Sequence, residues 1–200
     1  MPETDSAVII GDKISNQCTN VGYPHVQGLK NAVVQEKINE LIKQQVYSMI
    51  PQEGCEEYQV IAGSSEIKVN EKSILSLTTT VYSYRKHAAN GMDVQKSLTV
   101  NLATGQVYQL ADLFKSESNY SAALSEEIKD QIRKRNIPLI TDFNGITGQE
   151  DFYLTDDSLV IYFQEFEYTP HYVGIPEFII PFTQIKGFIN ENGPIAALLN

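Results

Sequence analysis

The sequence has no tryptophan, two cysteines and three histidines, and it is short of basic residues. Fifteen Lys and Arg stand against 25 Asp and Glu, a formal net charge of −10. Each shortage excludes something. Binding nucleic acid requires clustered Lys and Arg that displace counterions from phosphate, so nucleic acid is not an expected partner. Anionic membrane surfaces are disfavoured for the same reason. No apolar run approaches the roughly 18 residues that cross a bilayer, so this segment is not expected to insert into a membrane. The opening MPETDSAVIIGDKIS has neither the basic start nor the apolar core of a signal peptide. The chain is therefore expected to be cytosolic, or to owe its export to a segment outside these 200 residues.

Catalytic signatures are missing as well. There is no G-x-S-x-G elbow, phosphate loop, dinucleotide fingerprint or H-E-x-x-H. His25, His87 and His171 lie far apart in turns or loops, and neither cysteine has a Cys or His at metal-ligand spacing, so no metal site is expected. DFNG at 142–145 starts like a calcium loop but misplaces its glycine and lacks the closing glutamate.

What is present describes a globular chain: 42% hydrophobic and 20% charged residues. Residues 31–50 place Val34, Ile38, Leu41, Ile42, Val46 and Met49 on one stripe of helical period, which Pro51 ends. From 58 to 84 the residues turn β-branched and aromatic, predicting a long hairpin that turns at NEK. Its second strand has Leu75, Leu77, Thr79 and Val81 on one face and Ser76, Thr78, Thr80 and Tyr82 on the other. Asn90-Gly91 in the next loop suits positive φ. Tyr120, Leu124, Ile128 and Ile132 mark a second helix, and DFYL, LVIYF and EFIIPF read as strands. Residues 1–15 are expected to be a loosely held terminus with a short strand at AVII. The order helix, sheet, helix, sheet without βαβα alternation predicts an α+β fold of two helix-plus-antiparallel-sheet subdomains packed together. The seam is expected near 104–111.

Residues 162–178, YFQEFEYTPHYVGIPEF, concentrate aromatics, two prolines and a glycine. Pro170 and Pro176 fix φ and hold their predecessors extended, while Gly174 supplies a bend. Stiff aromatic loops bury large areas on binding and lose little rotamer entropy. The expectation is that Phe163, Phe166 and Phe178 are buried, with Tyr168, Tyr172 and His171 turned outward. Glu165 and Glu167 beside His171 offer the one enzymatic alternative, because i and i+2 of a strand share a face and paired carboxylates serve glycoside hydrolysis. Cys18 and Cys55 flank the first helix, and two readings stand: a disulfide if the chain is exported, two free buried thiols otherwise.

Three stretches carry a family resemblance: GYPHVQG near the start, YSYRKHAANGM with LTVNLATGQVYQLADLF in the middle, and DFYLTDDSLVIYFQEFEYTPHYVGIPEFIIPF near the end. Together they resemble the paired modules of RsiV-type anti-sigma factors and of PdaC-type peptidoglycan deacetylases. The resemblance implies a PdaC-like subdomain over 1–106 and an RsiV-like one over 107–200. It implies a secreted or membrane-anchored extracytoplasmic module of a Gram-positive cell, non-enzymatic and without a cofactor, that recognises a C-type lysozyme or another cationic protein. By the same resemblance the contact role falls on Pro170 and Tyr172, joined in the tip by Tyr168, His171 and Gly174. Tyr82, Tyr84 and His87 from the hairpin end are further candidates. An extracytoplasmic setting also favours the Cys18–Cys55 bridge. Many relatives have GGAHG where this chain has RKHAANG, so Arg85 and Lys86 bring positive charge to that end. A peptidoglycan-binding or carbohydrate-active module, and a structural domain that positions a neighbour, are the alternative functions.

Overall fold

The structure, a computed structural model, describes residues 6–199, which divide into two compact units between Gln106 and Val107. It is α+β, with a five-stranded sheet in the first unit and a three-stranded antiparallel sheet in the second.

In the first unit, β1 (Val8–Ser15), β2 (Thr19–Gln27), β3 (Tyr58–Glu71), β4 (Ile74–Arg85) and β5 (Met92–Asn101) lie side by side in chain order. All neighbours are antiparallel except β2 and β3, which pair in parallel over Thr19–Val21. A parallel pair cannot be joined by a tight turn, and α1 (Ala32–Met49) supplies the crossover. The Asn31 side chain caps this helix by accepting from the backbone N–H groups of Val33 and Val34. Val34, Ile38, Ile42, Val46 and Met49 form its buried stripe, whereas Leu41 is only half-buried. Asn39 is buried on the same helix. Its side chain accepts from the Val26 N–H at 2.7 Å and donates to the Val26 carbonyl at 2.9 Å, so a side-chain amide stands in for a neighbouring strand.

Three sequence expectations need correction here. The N-terminal strand is not a short piece at AVII but an eight-residue edge strand reaching Ser15; residues 1–5 lie outside the described part. The hairpin turns on Lys72 and Ser73, both left-handed at φ 50° and 59°, which matches the right-handed twist of the strands it joins. In the β4–β5 loop the left-handed residue is His87 (φ 64°) rather than Asn90 or Gly91.

The second unit begins with a single 3₁₀ turn (Leu110–Leu113) and α3 (Tyr120–Lys134), followed by β6 (Phe152–Leu154), β7 (Ser158–Tyr162) and β8 (Glu177–Pro181). Every residue of β7 is buried, in keeping with its nearly unbroken apolar run. On one face Leu159 and Ile161 pair with Ile180 and Phe178; on the other Tyr153, Val160 and Tyr162 cluster beneath Ile175. The outer edge of β8 is covered by two side chains one helical turn apart. Gln131 donates to the Ile179 carbonyl at 2.7 Å and Arg135 to the Glu177 carbonyl at 2.6 Å. Edge strands left open invite unwanted pairing, and here the helix occupies the free carbonyls.

Cys18 and Cys55 are joined in a disulfide, with 5.5 Å between their Cα atoms and a sequence separation of 37. The bridge pins α2 (Gly54–Glu57) to the β1–β2 connection. Replacing both cysteines by serine is expected to lower the unfolding free energy by up to about 4 kcal/mol, the chain-entropy value for such a loop. Urea denaturation of the oxidised protein and the double variant measures it, and an unchanged midpoint would mean that the other contacts of α2 suffice.

Candidate functional site

The segment between β7 and β8 is a loop closed at its base by the Phe163 N–H, which donates to the Pro176 carbonyl at 3.2 Å. It opens with a tight turn in which the Glu167 N–H donates to the Gln164 carbonyl. The Glu167 carboxylate folds back to accept from the Gln164 N–H at 3.0 Å, and the Gln164 side chain donates to Asp151. Phe166 sits in this turn at φ 64°, a left-handed conformation uncommon for an aromatic residue.

Glu165 points the other way. Its side chain is 3% exposed and lies 2.8 Å from Nδ1 of His171. A carboxylate withdrawn from water needs a partner, and here the partner sits six residues along, on the far limb of the loop. The His171 ring is in turn stacked on Phe166, nearly parallel at 8° with centroids 5.5 Å apart. Between these points Tyr168 packs edge-on against Phe143 and Phe163, and its carbonyl accepts from the Ile140 N–H at 2.8 Å. Burial raises the Tyr168 phenol above its ordinary pKa, with Glu167 and Glu150 adding to the effect, so the ring is held neutral.

The distal limb is a short 3₁₀ turn, His171–Val173, entered from Pro170 (φ −67°, ψ 155°) and left through Gly174 (φ 73°, ψ −144°). That combination lies near the region that only glycine occupies readily, which explains the residue. The turn is closed by Val173 donating to Pro170 and Gly174 to His171. Tyr172 projects from it and is 79% exposed.

The outcome differs from the sequence expectation in four respects, the first being that His171 is half-buried and turned onto Glu165 rather than outward. Phe163 and Phe178 are buried, but Phe166 is 51% exposed, because the left-handed turn rotates it out of the core. Tyr168 is half-buried in an aromatic cluster rather than turned fully outward. Glu165 and Glu167 do not share a strand face, because residues 165–167 form a turn and the two carboxylates engage different partners.

In the first unit Tyr82, Tyr84 and His87 lie at the end of β4 and in the loop beyond it. Tyr82 is partly exposed, with its ring laid over Gly91 so closely that a Cβ there would meet the ring at 2.2 Å. The Tyr84 hydroxyl donates to the Ala88 carbonyl, and His87 is exposed. The two cations of this loop are engaged locally. Arg85 pairs with Glu57 at 3.1 Å, and the Lys86 ammonium donates to the carbonyls of Cys55 and Glu56.

Charge is unevenly divided. Residues 107–200 carry 14 carboxylates against six Lys and Arg, so −8 of the net −10 falls in the second unit. The fifty residues 136–185 hold eight carboxylates and no lysine or arginine, and the whole candidate loop lies within them. This run was legible in the sequence as a gap in basic residues. Among the described residues no group of three or more His, Cys, Asp or Glu could hold a metal ion, and no helix is long and apolar enough to cross a membrane.

The fold and loop define an acidic α+β module that carries a braced aromatic loop. Residues 111–183, within the second unit, match a family model described as a protein of unknown function, DUF3298. Over 180 residues, 81% of the chain, the protein is 28% identical to Anti-sigma-V factor RsiV of Bacillus subtilis (strain 168), and it spans 62% of that relative's length. A crystal structure of a DUF3298 family member from Bacteroides fragilis NCTC 9343 is similar in fold (TM-score 0.67, 15% identity, covering 98% of this chain and 96% of that one). So is one from Pseudomonas aeruginosa PAO1 (TM-score 0.58, 11% identity, 94% of each chain). The RsiV resemblance read from the motifs holds in sequence, and the DUF3298 structures share the fold.

The hydroxyl of Thr169 is buried without a hydrogen-bond partner, in a residue that is 0% exposed. Thr169→Val removes that hydroxyl at nearly constant shape and is expected to be neutral or to stabilise by up to about 1 kcal/mol. Glu165→Ala strips the buried partner from His171 and is expected to cost about 1–3 kcal/mol. Urea titrations of the two variants measure both, and a larger loss for Thr169→Val than for Glu165→Ala would contradict this account of the loop.

Proposed function

We propose that the protein is a non-enzymatic recognition module that works outside the membrane and binds a basic protein of the C-type lysozyme class through the Pro170–Tyr172 tip. The observation that carries this reading is Tyr172: an aromatic ring left 79% in solvent on a loop locked by Pro170, Gly174 and the Glu165–His171 pair. A solvent-exposed ring costs hydration, and rigid presentation removes the entropic penalty of ordering it on contact. Tyrosine in this setting has the character of an interface anchor.

Electrostatics supports the choice of partner. A unit with an excess of eight negative charges attracts a basic protein and accelerates its encounter at low ionic strength. The similarity to Anti-sigma-V factor RsiV supports a regulatory or sensory setting over a metabolic one. The carbohydrate-active alternative loses its main support, since one of its two carboxylates is buried against His171 and the other caps a backbone N–H.

Calorimetric titration with a C-type lysozyme tests the reading, with heat of binding expected at micromolar concentrations and an affinity that weakens as salt is raised. Tyr172→Ala is expected to weaken binding by more than about 1 kcal/mol without loss of folding. No heat from the wild-type protein at tens of micromolar would reject the partner. A folded Tyr172→Ala that binds normally would reject the site.

A further inference from the structure

Phe166 is the residue that the core does not explain. It occupies a left-handed backbone conformation (φ 64°) that an asparagine or glycine would adopt with less strain, and it is 51% exposed. Strained, exposed aromatic residues that the surrounding structure over-determines concentrate at binding sites. One face of its ring rests on His171, which the buried Glu165 carboxylate fixes in turn. The orientation of the phenyl ring is therefore set before any partner arrives.

Phe166 also has apolar company. The Ile140 N–H is bonded to the carbonyl of Tyr168, which brings the exposed Leu139 and Ile140 alongside the same loop. Two exposed carboxylates flank these residues in sequence, Asp142 beyond Ile140 and Glu167 after Phe166. The cations of the neighbouring α3 are occupied: Lys129 by Glu126, Arg133 and Lys134 by Asp130, and Arg135 by the Glu177 carbonyl and the Phe178 ring. Exposed apolar side chains on a unit with eight excess negative charges are the complement of an apolar cleft on a basic protein. A second copy of this chain would bring like charge to the surface, which disfavours self-association there.

We propose that Phe166 and Ile140 extend the docking surface beyond Tyr172, giving the second unit a second aromatic anchor that selects basic partners with an apolar cleft. The inference rests on the recognition reading above, deepening it by naming what the partner must present. Area buried around a central anchor also slows dissociation more than it alters association, so the second anchor acts on the lifetime of the complex.

The test uses the full chain and a C-type lysozyme as the probe, with association and dissociation followed by surface-immobilised kinetics alongside thermal unfolding. Phe166→Asn suits the left-handed backbone, so it is expected to keep or raise the unfolding midpoint. It is expected to raise Kd about five-fold or more, mostly through faster dissociation. Phe166→Tyr is expected to bind as the wild type does, and Ile140→Ala to weaken binding about two-fold or more. Wild-type affinity in a folded Phe166→Asn, with Tyr172→Ala still impaired, would overturn this inference alone. Loss of both midpoint and affinity in Phe166→Asn would mark Phe166 as a structural residue and overturn it as well. Absence of wild-type binding would overturn both this inference and the reading beneath it.

Discussion

A carboxylate almost wholly out of water, Glu165, is held 2.8 Å from an imidazole on the opposite limb of its own loop, and the geometry of the candidate site follows from that contact. Leaving a buried carboxyl group without its hydrogen-bond partner is costly, so the two limbs cannot separate without penalty. With His171 fixed, Phe166 has a ring to stack on and the turn carrying Tyr172 has a fixed start. Tyr168, wedged between Phe143 and Phe163, ties the same loop to the hydrophobic interior. The aromatic stretch is thus core and surface together: its inward residues roof the sheet and its outward residues are aimed by that packing. Because the order already exists in the free protein, little conformational entropy remains to be lost on contact.

Charge acts at longer range and for a different purpose. The excess of carboxylates in the second unit makes a field that extends over roughly a Debye length, about 10 Å at moderate salt, which influences encounter more than final affinity. In the proposed complex, the apolar rings are what would set its lifetime. Arg85 and Lys86, which the sequence alone presents as a local positive patch in the first unit, are engaged by Glu57 and by the carbonyls of Cys55 and Glu56.

Much of the fold is legible in the sequence because local chemistry and tertiary structure agree. The apolar stripe of α1, the β-branched hairpin and the second helix are where periodicity places them. The parallel pairing of β2 with β3 was not legible, since a strand of mixed burial carries no mark of its neighbour's direction. Asn39 was hidden for a related reason: a polar residue on a helix reads as a solvent-facing position until Val26 is found beside it. The error over Phe166 is instructive. Alternation and hydrophobicity assign a phenylalanine in FQEFEY to the core, but the turn formed by Gln164 and Glu167 reverses the direction of the side chain, and nothing in Phe166 itself announces positive φ. The fifty-residue stretch without a lysine or arginine, by contrast, was available to simple counting.

The central claim is that the loop is already fixed in the unbound protein. Backbone amide ¹⁵N relaxation of the free chain tests it most directly. The account predicts order parameters for Phe166, His171 and Tyr172 of about 0.85, the value of rigid backbone, matching those of β7 and β8. Values below about 0.6 for these three amides, with the strands remaining rigid, would contradict it.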